Sequence, residues 1–132
     1  MIEINHLLFW GMFGLTIELC FTALCSLFFK KKFNLIGHTS LWMFPIYAIG
    51  LSYGFDIVKQ IMPYPILRYI SYPFWIWMIE IIIGFPANKM GIKIWDYSYL
   101  ADNKHWKGII SYVHFPVWIL FGILVEIVKK IL

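Results

Sequence analysis

Hydrophobic positions in this sequence fall into four long stretches separated by short polar segments. The stretches cover residues 7–29, 41–61, 66–85 and 109–128. A helix needs about 20 apolar residues to cross the hydrocarbon core of a bilayer, and each stretch has that length. The pattern therefore predicts four membrane-spanning helices. The connection over residues 86–108 is polar enough to leave the membrane and is the longest of the loops.

Composition supports the same fold class. Of the 132 residues, 61% are hydrophobic and 14% are charged. A soluble domain carries roughly 45–50% apolar and about 25% charged residues, so a soluble single domain is excluded. We expect an all-α, integral membrane four-helix bundle, in a single transmembrane domain over residues 1–132. The lipid bilayer is its expected partner, together with a second copy of the chain or a membrane complex.

The positive charges indicate an orientation in the membrane. The formal net charge is +4, and the lysines stand in short runs between the apolar stretches. Cytoplasmic loops carry an excess of Lys and Arg, and the loops over 30–40 and 86–108 together hold more of them than the opposite face. We therefore expect a multi-pass protein of the cell membrane with both loops in the cytoplasm and both termini outside. This distribution favours orientation over nucleic-acid binding.

Two carboxylic acids, Glu18 and Glu80, lie well inside predicted helices. A charge in hydrocarbon costs roughly 2.5–3.5 kcal/mol even on insertion scales, so both should face the interior of the bundle. Their similar depths predict that they meet near the middle of the bilayer, where at least one should carry a proton at neutral pH. We expect an internal cavity lined by Glu18, Glu80, Tyr47, Trp77, Trp118 and His114.

These carboxyls have two main interpretations. They could be hydrogen-bonded groups that fix helix packing, or they could form a protonatable or cation-coordinating site; pairing with a partner protein is a third possibility. Small residues such as Gly14 recur at three- and four-residue steps beside them and favour close helix approach. Glu126 lies nearer the end of its helix, beside Lys129 and Lys130, where we expect an ordinary solvated ion pair.

Several motifs follow one another in an order that resembles a known family. They are Gly14-x-x-x-Glu18-x-x-Phe21-Thr22-Ala23, Gly37-x-Thr39-Ser40-x-Trp42, Glu80-x-x-x-Gly84-Phe85, and Trp95-Asp96-Tyr97-Ser98 followed by Gly108-Ile109. Together they resemble the transmembrane protein 229 family and the related bacterial CmpB-type group, whose members are named as ABC-transporter permeases. The resemblance covers about residues 10–126. It implies a polytopic four-helix membrane protein and supplies no reaction.

The residue pattern of the tetrapeptide Trp95-Asp96-Tyr97-Ser98 can also be interpreted physically, without the resemblance. An Asp two residues before a Ser is a turn-forming pattern, and Trp95 and Tyr97 suit the interfacial aromatic belt. We expect a turn that caps the bundle on the cytoplasmic face. The alternative makes Asp96 a cation ligand or a headgroup contact at the mouth of the cavity, since nearby lysines at 89, 93, 104 and 107 would suit an anionic headgroup.

Other chemistry has little support in the sequence. No two histidines show the spacing of metal ligands on one helix, so we expect no metal site and no cofactor. No serine or cysteine stands in a nucleophile motif, and we lean against an enzyme. The favoured function is a permease-like or ligand- or lipid-headgroup-binding bundle. A non-catalytic membrane adaptor or assembly subunit is the alternative, and a membrane-embedded enzyme acting on a lipid is the third.

Overall fold

A computed structural model describes residues 3–132 and confirms the all-α fold class. The helices are α1 (Ile4–Lys30), α2 (Met43–Ile49), α3 (Phe55–Ile61), α4 (Pro65–Lys89) and α5 (Phe115–Ile131). A π-helical turn over Gly50–Gly54 joins α2 to α3, so the helical backbone continues from residue 43 to residue 61.

The connection between α4 and α5 contains the only strands among the described residues. A 3₁₀ turn over Asp102–Lys104 leads into strand β1 (His105–Trp106), which pairs antiparallel with β2 (Ile110–Ser111). A second 3₁₀ turn, Tyr112–His114, then enters α5. The last helix thus begins at Phe115 instead of residue 109. Pro116 stands in the first turn of this helix, where a backbone N–H would have no acceptor within the helix, so proline is tolerated.

Within residues 3–132, three segments are long and apolar enough to cross a membrane, judged by length and composition. They are Ile4–Lys30, Pro65–Lys89 and Tyr112–Ile131. Large apolar side chains such as Met12, Ile82 and Leu120 are exposed along them, as expected of surfaces that face lipid. The chain is therefore a membrane protein. The other predicted span, residues 41–61, is the one that the π-helical turn divides, and its crossing of the membrane stays a prediction.

The chain divides into two compact units, one up to Ile57 and one from Val58 onward. In the first unit, α1 packs against α2 through the glycines that the sequence places on one face. A Cβ atom added to Gly11 would lie 2.6 Å from the Phe44 ring, and one added to Gly14 would collide with the ring of Tyr47. The absence of side chains at these glycines therefore permits the close approach of the two helices.

In the second unit, α4 packs against α5 and also against the segment around the hairpin. Tyr72 is almost fully buried, and its ring occupies the space that a side chain at Gly122 would need. Further along α4, Gly84 leaves room for Trp95 and Ile109, since an added Cβ would lie 2.9 Å from the Trp95 ring. The loop between α4 and α5 is thus anchored onto α4.

Candidate functional site

In the first unit, the carboxylate of Glu18 has hydroxyl partners from outside its own helix. The hydroxyl of Thr39 donates to Glu18 Oε2 at 2.5 Å. Tyr47 contributes a second side-chain hydrogen bond, and His38 lies close enough to interact electrostatically with the carboxylate. Glu18 and Tyr47 are therefore hydrogen-bonded to each other, and the cavity that they are expected to line stays a prediction.

A reversal of the chain carries Thr39 to this position. Helix α1 ends at Lys30, the next residue, Lys31, adopts a left-handed conformation (φ 52°), and the N–H of Lys32 donates back to Ser26 O at 3.2 Å. This is the usual hydrogen-bonded closure of a helix C-terminus. The chain then returns along α1, and Gly37 passes so close to the carbonyl oxygen of Leu19 that no Cβ would fit between them.

Thr22 fixes the returning segment, residues 37–40, in place. The backbone N–H of His38 donates to Thr22 Oγ1 at 2.9 Å, and the Thr22 hydroxyl donates to the His38 carbonyl at 3.1 Å. At 1.5 Å of rise per residue, Thr22 lies about 12 Å from the Lys30 end of the helix. The non-helical segment 37–40 therefore runs beside α1 well inside the length that is apolar enough to cross a membrane.

Glu80 lies on α4 in the second unit and is 7% exposed. Trp77, one turn before it, packs its ring against those of Phe115 and Tyr112 at centroid distances of 5.8 and 6.0 Å. Glu18 and Glu80 belong to different units, so their meeting in one cavity stays a prediction.

The remaining predicted lining residues stand at the start of α5. The His114 ring lies 5.3 Å from the ring of Tyr97 and 5.9 Å from that of Trp118. Within residues 3–132, the indole N–H groups of Trp77 and Trp118 are buried and have no hydrogen-bond partner. Tyr97 thus joins the loop motif to this aromatic group.

The motif Trp95-Asp96-Tyr97-Ser98 forms one hydrogen-bonded structure with the hairpin. The N–H of Ser98 donates to Asp96 Oδ1 at 2.9 Å, which is the local bond that the Asp-x-Ser spacing predicts. Trp95 Nε1 donates to the Ile109 carbonyl at 2.9 Å, and the N–H of Tyr97 donates to the Gly108 carbonyl at 2.9 Å. The tetrapeptide and the Gly108-Ile109 pair of the resemblance are thus structural partners.

Asp96 is held in its ionised form. The hydroxyl and the backbone N–H of Ser98, together with the Lys93 ammonium 3.4 Å from Oδ2, keep the pKa of Asp96 below its usual value. A carboxylate with a lowered pKa is a weak base at neutral pH. The geometry therefore favours a role in holding the turn and disfavours Asp96 as the base of an enzyme.

A buried ion pair that the sequence pattern does not predict joins α4 to α5. Arg68 Nη2 donates to Glu126 Oε1 at 2.7 Å, and Arg68 Nε donates to Oε2 at 2.9 Å. The Tyr72 hydroxyl donates to the same carboxylate, and Arg68 Nη1 donates to the carbonyls of Met62 (3.0 Å) and Pro63 (3.1 Å). The expectation of a solvated Glu126 is wrong, because this side chain lies in the packed contact between the two helices and its residue is 8% exposed.

This network is a packing element. Its bidentate geometry is the strong form of a carboxylate–guanidinium contact. Arg68 is the single arginine of the sequence, and it lies in a predicted membrane span. This is the one feature of the sequence that indicates a special role for it. The partner of Arg68 could not be identified from residue spacing, because Glu126 lies 58 residues away along the chain.

No protein-family model matches the chain, and no solved structure is significantly similar to it. Among residues 3–132, no group of three or more His, Cys, Asp or Glu side chains gathers closely enough to hold a metal ion.

Proposed function

We propose that this membrane protein is permease-like, and that Glu18 binds a proton or a small cation within the membrane. The observation that supports this proposal is the bond from Thr39, on a non-helical segment, to the Glu18 carboxylate in the middle of a membrane helix. Carboxylates at this depth are expensive and mark proton relays and ion pathways in membrane proteins.

The returning segment supplies the route by which such a ligand would arrive. Non-helical backbone within the hydrocarbon is tolerated only where protein buries it or where it lines a water-filled cavity. His38 and Thr39 are both exposed in this structure, so burial by the chain itself does not account for them. A water-lined entrance along segment 37–40 would satisfy its backbone and would lead to Glu18.

The oxygen atoms around Glu18 suit this role. Its carboxylate, the Thr39 hydroxyl and the Tyr47 hydroxyl are oxygen groups of the kind that accept and pass protons or hold a small hard cation. The resemblance of the Glu18 and Thr39 motifs to those of the CmpB-type permease group points in the same direction.

An adaptor function is the second candidate, and one observation favours it. Phe29 and Phe33 are each more than four-fifths exposed, and in the sequence they flank the lysines at residues 30–32. An exposed aromatic surface beside positive charges would suit a membrane partner with an acidic, apolar face. In this case Glu18 would serve only to hold the segment 37–40 against α1.

Proton flux into vesicles separates the two candidates. Purified protein would be reconstituted into vesicles that contain a trapped pH indicator, and acidification would be followed after an external acid pulse. We expect wild-type vesicles to acidify faster than protein-free vesicles, and Glu18→Gln to abolish the difference. Glu3→Gln is the matched control, because Glu3 is an exposed residue that precedes α1.

Two results would overturn the permease proposal. One is equal flux in the wild type and in Glu18→Gln, and the other is a wild-type flux no greater than that of protein-free vesicles. The second result would favour the adaptor. Circular dichroism of each variant in detergent would establish that the helices are intact before the fluxes are compared.

A further inference from the structure

Two lysines from different parts of the second unit converge on one aromatic ring. Lys89, at the end of α4, places its ammonium 4.6 Å from the centroid of Phe85. Lys107, in the hairpin turn, lies 5.4 Å from the same ring and 5.1 Å from the Trp106 ring. The rings of Phe85 and Trp106 are themselves nearly parallel, with centroids 6.4 Å apart. The two ammonium groups therefore lie within about 10 Å of each other.

These two charges lack a compensating carboxylate. Within residues 3–132, neither Lys89 nor Lys107 has an Asp or Glu oxygen within 4.0 Å. Lys93 differs, because its ammonium is paired with Asp96. Both Lys89 and Lys107 are exposed. Like charges placed together without a counter-charge form a site to which an anion is attracted.

The backbone at Lys107 gives an independent reason to assign a role to this side chain. Lys107 (φ 52°) and Gly108 (φ 70°) are the central residues of a tight turn closed by the Ile109 N–H, which donates to Trp106 O at 2.9 Å. Turns with positive φ at both central positions favour Asn-Gly or Gly-Gly. A lysine there is held in an unfavourable conformation, and such positions concentrate at functional sites.

We propose that Lys89 and Lys107, seated on the Phe85–Trp106 ring pair, bind the phosphate group of an anionic membrane lipid. The cluster stands where the membrane helix α4 ends, which is the level of lipid headgroups and of the interfacial aromatic belt. Lysines at this level attract anionic headgroups. This inference does not depend on Glu18 or on the permease proposal, since a lipid site could serve a transporter or an adaptor equally well.

Lipid retention in native mass spectrometry tests the proposal. The protein would be released from nanodiscs that contain equal amounts of phosphatidylglycerol and phosphatidylcholine, and the ratio of the two retained lipids would be measured. We expect the wild type to retain phosphatidylglycerol preferentially, and the double variant Lys89→Gln/Lys107→Gln to lose that preference by about an order of magnitude. The variant Lys30→Gln/Lys32→Gln is the matched control, because it removes two positive charges from another loop.

A single variant separates the charge of Lys107 from its part in folding. Asparagine suits the left-handed conformation better than lysine, so Lys107→Asn should keep the turn and the melting temperature of the wild type. We expect it to lower the phosphatidylglycerol preference at least twofold. An unchanged preference in Lys107→Asn and in the double variant would overturn the proposal.

Two further outcomes would also overturn it. An equal loss of preference in Lys30→Gln/Lys32→Gln would mean that any surface lysines suffice. Release of the retained phosphatidylglycerol by inorganic phosphate, added in detergent at millimolar concentration, would mean that the cluster prefers free phosphate to a lipid headgroup. Persistence of the bound phosphatidylglycerol under the same phosphate concentration is the result that supports a lipid headgroup.

Discussion

Arg68 is surrounded by acceptors that satisfy its guanidinium inside the packed contact between α4 and α5. Two of its nitrogens bond with Glu126, and a third bonds with the carbonyls of Met62 and Pro63. Burying both charges carries a large desolvation cost, which is offset only when the geometry is good and the remaining hydrogen bonds are made. Here both conditions are met, so the pair ties the turn between α3 and α4 to the last helix.

Removing the charge of Glu126 should therefore be costly. Glu126→Gln keeps the shape but leaves the Arg68 charge buried without its partner, and we expect a loss of about 3–5 kcal/mol in the free energy of unfolding. Tyr72→Phe removes one hydrogen bond and should cost about 1 kcal/mol. Thermal unfolding in detergent measures both. Equal melting temperatures for Glu126→Gln and the wild type would contradict a structural role for the pair.

Ionisation of Asp96 makes the stability of the turn in the loop between α4 and α5 depend on pH. Because its folded pKa is below the ordinary value of an aspartate, its contribution to stability is fully present above that ordinary value. The contribution is lost as the pH falls through the lowered folded pKa. At neutral pH the turn should be intact, and acidification below about pH 4 should begin to loosen it.

Hydrogen exchange at the Ser98 amide measures this effect, since that N–H donates to Asp96. We expect Asp96→Asn to raise the exchange rate of Ser98 at neutral pH, whereas Lys93→Gln, which leaves the Asp96–Ser98 bond in place, should change it much less. Equal protection of Ser98 in Asp96→Asn and in the wild type would show that the carboxylate does not hold the turn.

At the scale of elements, the sequence predicts which residues share one face of a helix better than it predicts which segment packs against that face. The spacing of Gly14, Glu18 and Thr22 predicts one polar, small-residue side of α1, and the structure packs that side against other elements of the first unit. The partner segment 37–40 is short, polar and non-helical, so periodicity could not assign it a place beside α1. Only the tertiary fold brings it there.

The hairpin shows a second limit of sequence patterns. Residues 109–111 belong to an apolar stretch that predicts a membrane helix, yet Ile110 and Ser111 form strand β2. The turn at Lys107-Gly108 leads into strand β2. Ile109 and Ile110, the first residues of the apolar stretch, are buried. Short apolar runs do not distinguish a strand from a helix by hydrophobicity alone.

Glycine substitutions test the helix contact of the first unit. Gly14→Ala would force a Cβ into the ring of Tyr47, and we expect it to destabilise the protein by roughly 1–3 kcal/mol, the usual cost of overpacking. At Gly50 an added Cβ has no atom within 4 Å outside the local helix backbone, so Gly50→Ala should be neutral or slightly stabilising. Equal effects on the melting temperature would contradict the packing of Gly14 on Tyr47.

At the scale of the whole molecule, the number of crossings decides which termini and loops share a face of the membrane. In the part of the chain that the structure describes, three segments qualify as spans by length and apolar composition, and α2, the π-helical turn and α3 together form the remaining predicted span. With four crossings, the positive-inside rule predicts that the loops over 30–40 and 86–108 are cytoplasmic and that both termini are outside.

Single-cysteine labelling tests this orientation. Cys20 and Cys25 would be replaced by serine, and a cysteine would be introduced in place of Lys32 or, separately, of Lys130. In intact cells we expect a membrane-impermeant thiol reagent to label the Lys130→Cys protein and not the Lys32→Cys protein. Labelling of both from outside would mean an even number of crossings between the two positions, instead of the three that the account predicts, and the opposite pattern would reverse the orientation.

The role of Glu18 can be tested most directly by infrared spectroscopy of its carboxyl group in nanodiscs. Difference spectra would be recorded during pH titration and during addition of sodium or potassium ions, with Glu18→Gln to identify the Glu18 band and Glu80→Gln to identify that of Glu80. A permease site predicts a Glu18 band that responds to pH, to the added cation, or to both. A Glu18 band that changes with neither would contradict a proton- or cation-binding site and would leave the carboxyl as a packing group between α1 and the segment 37–40.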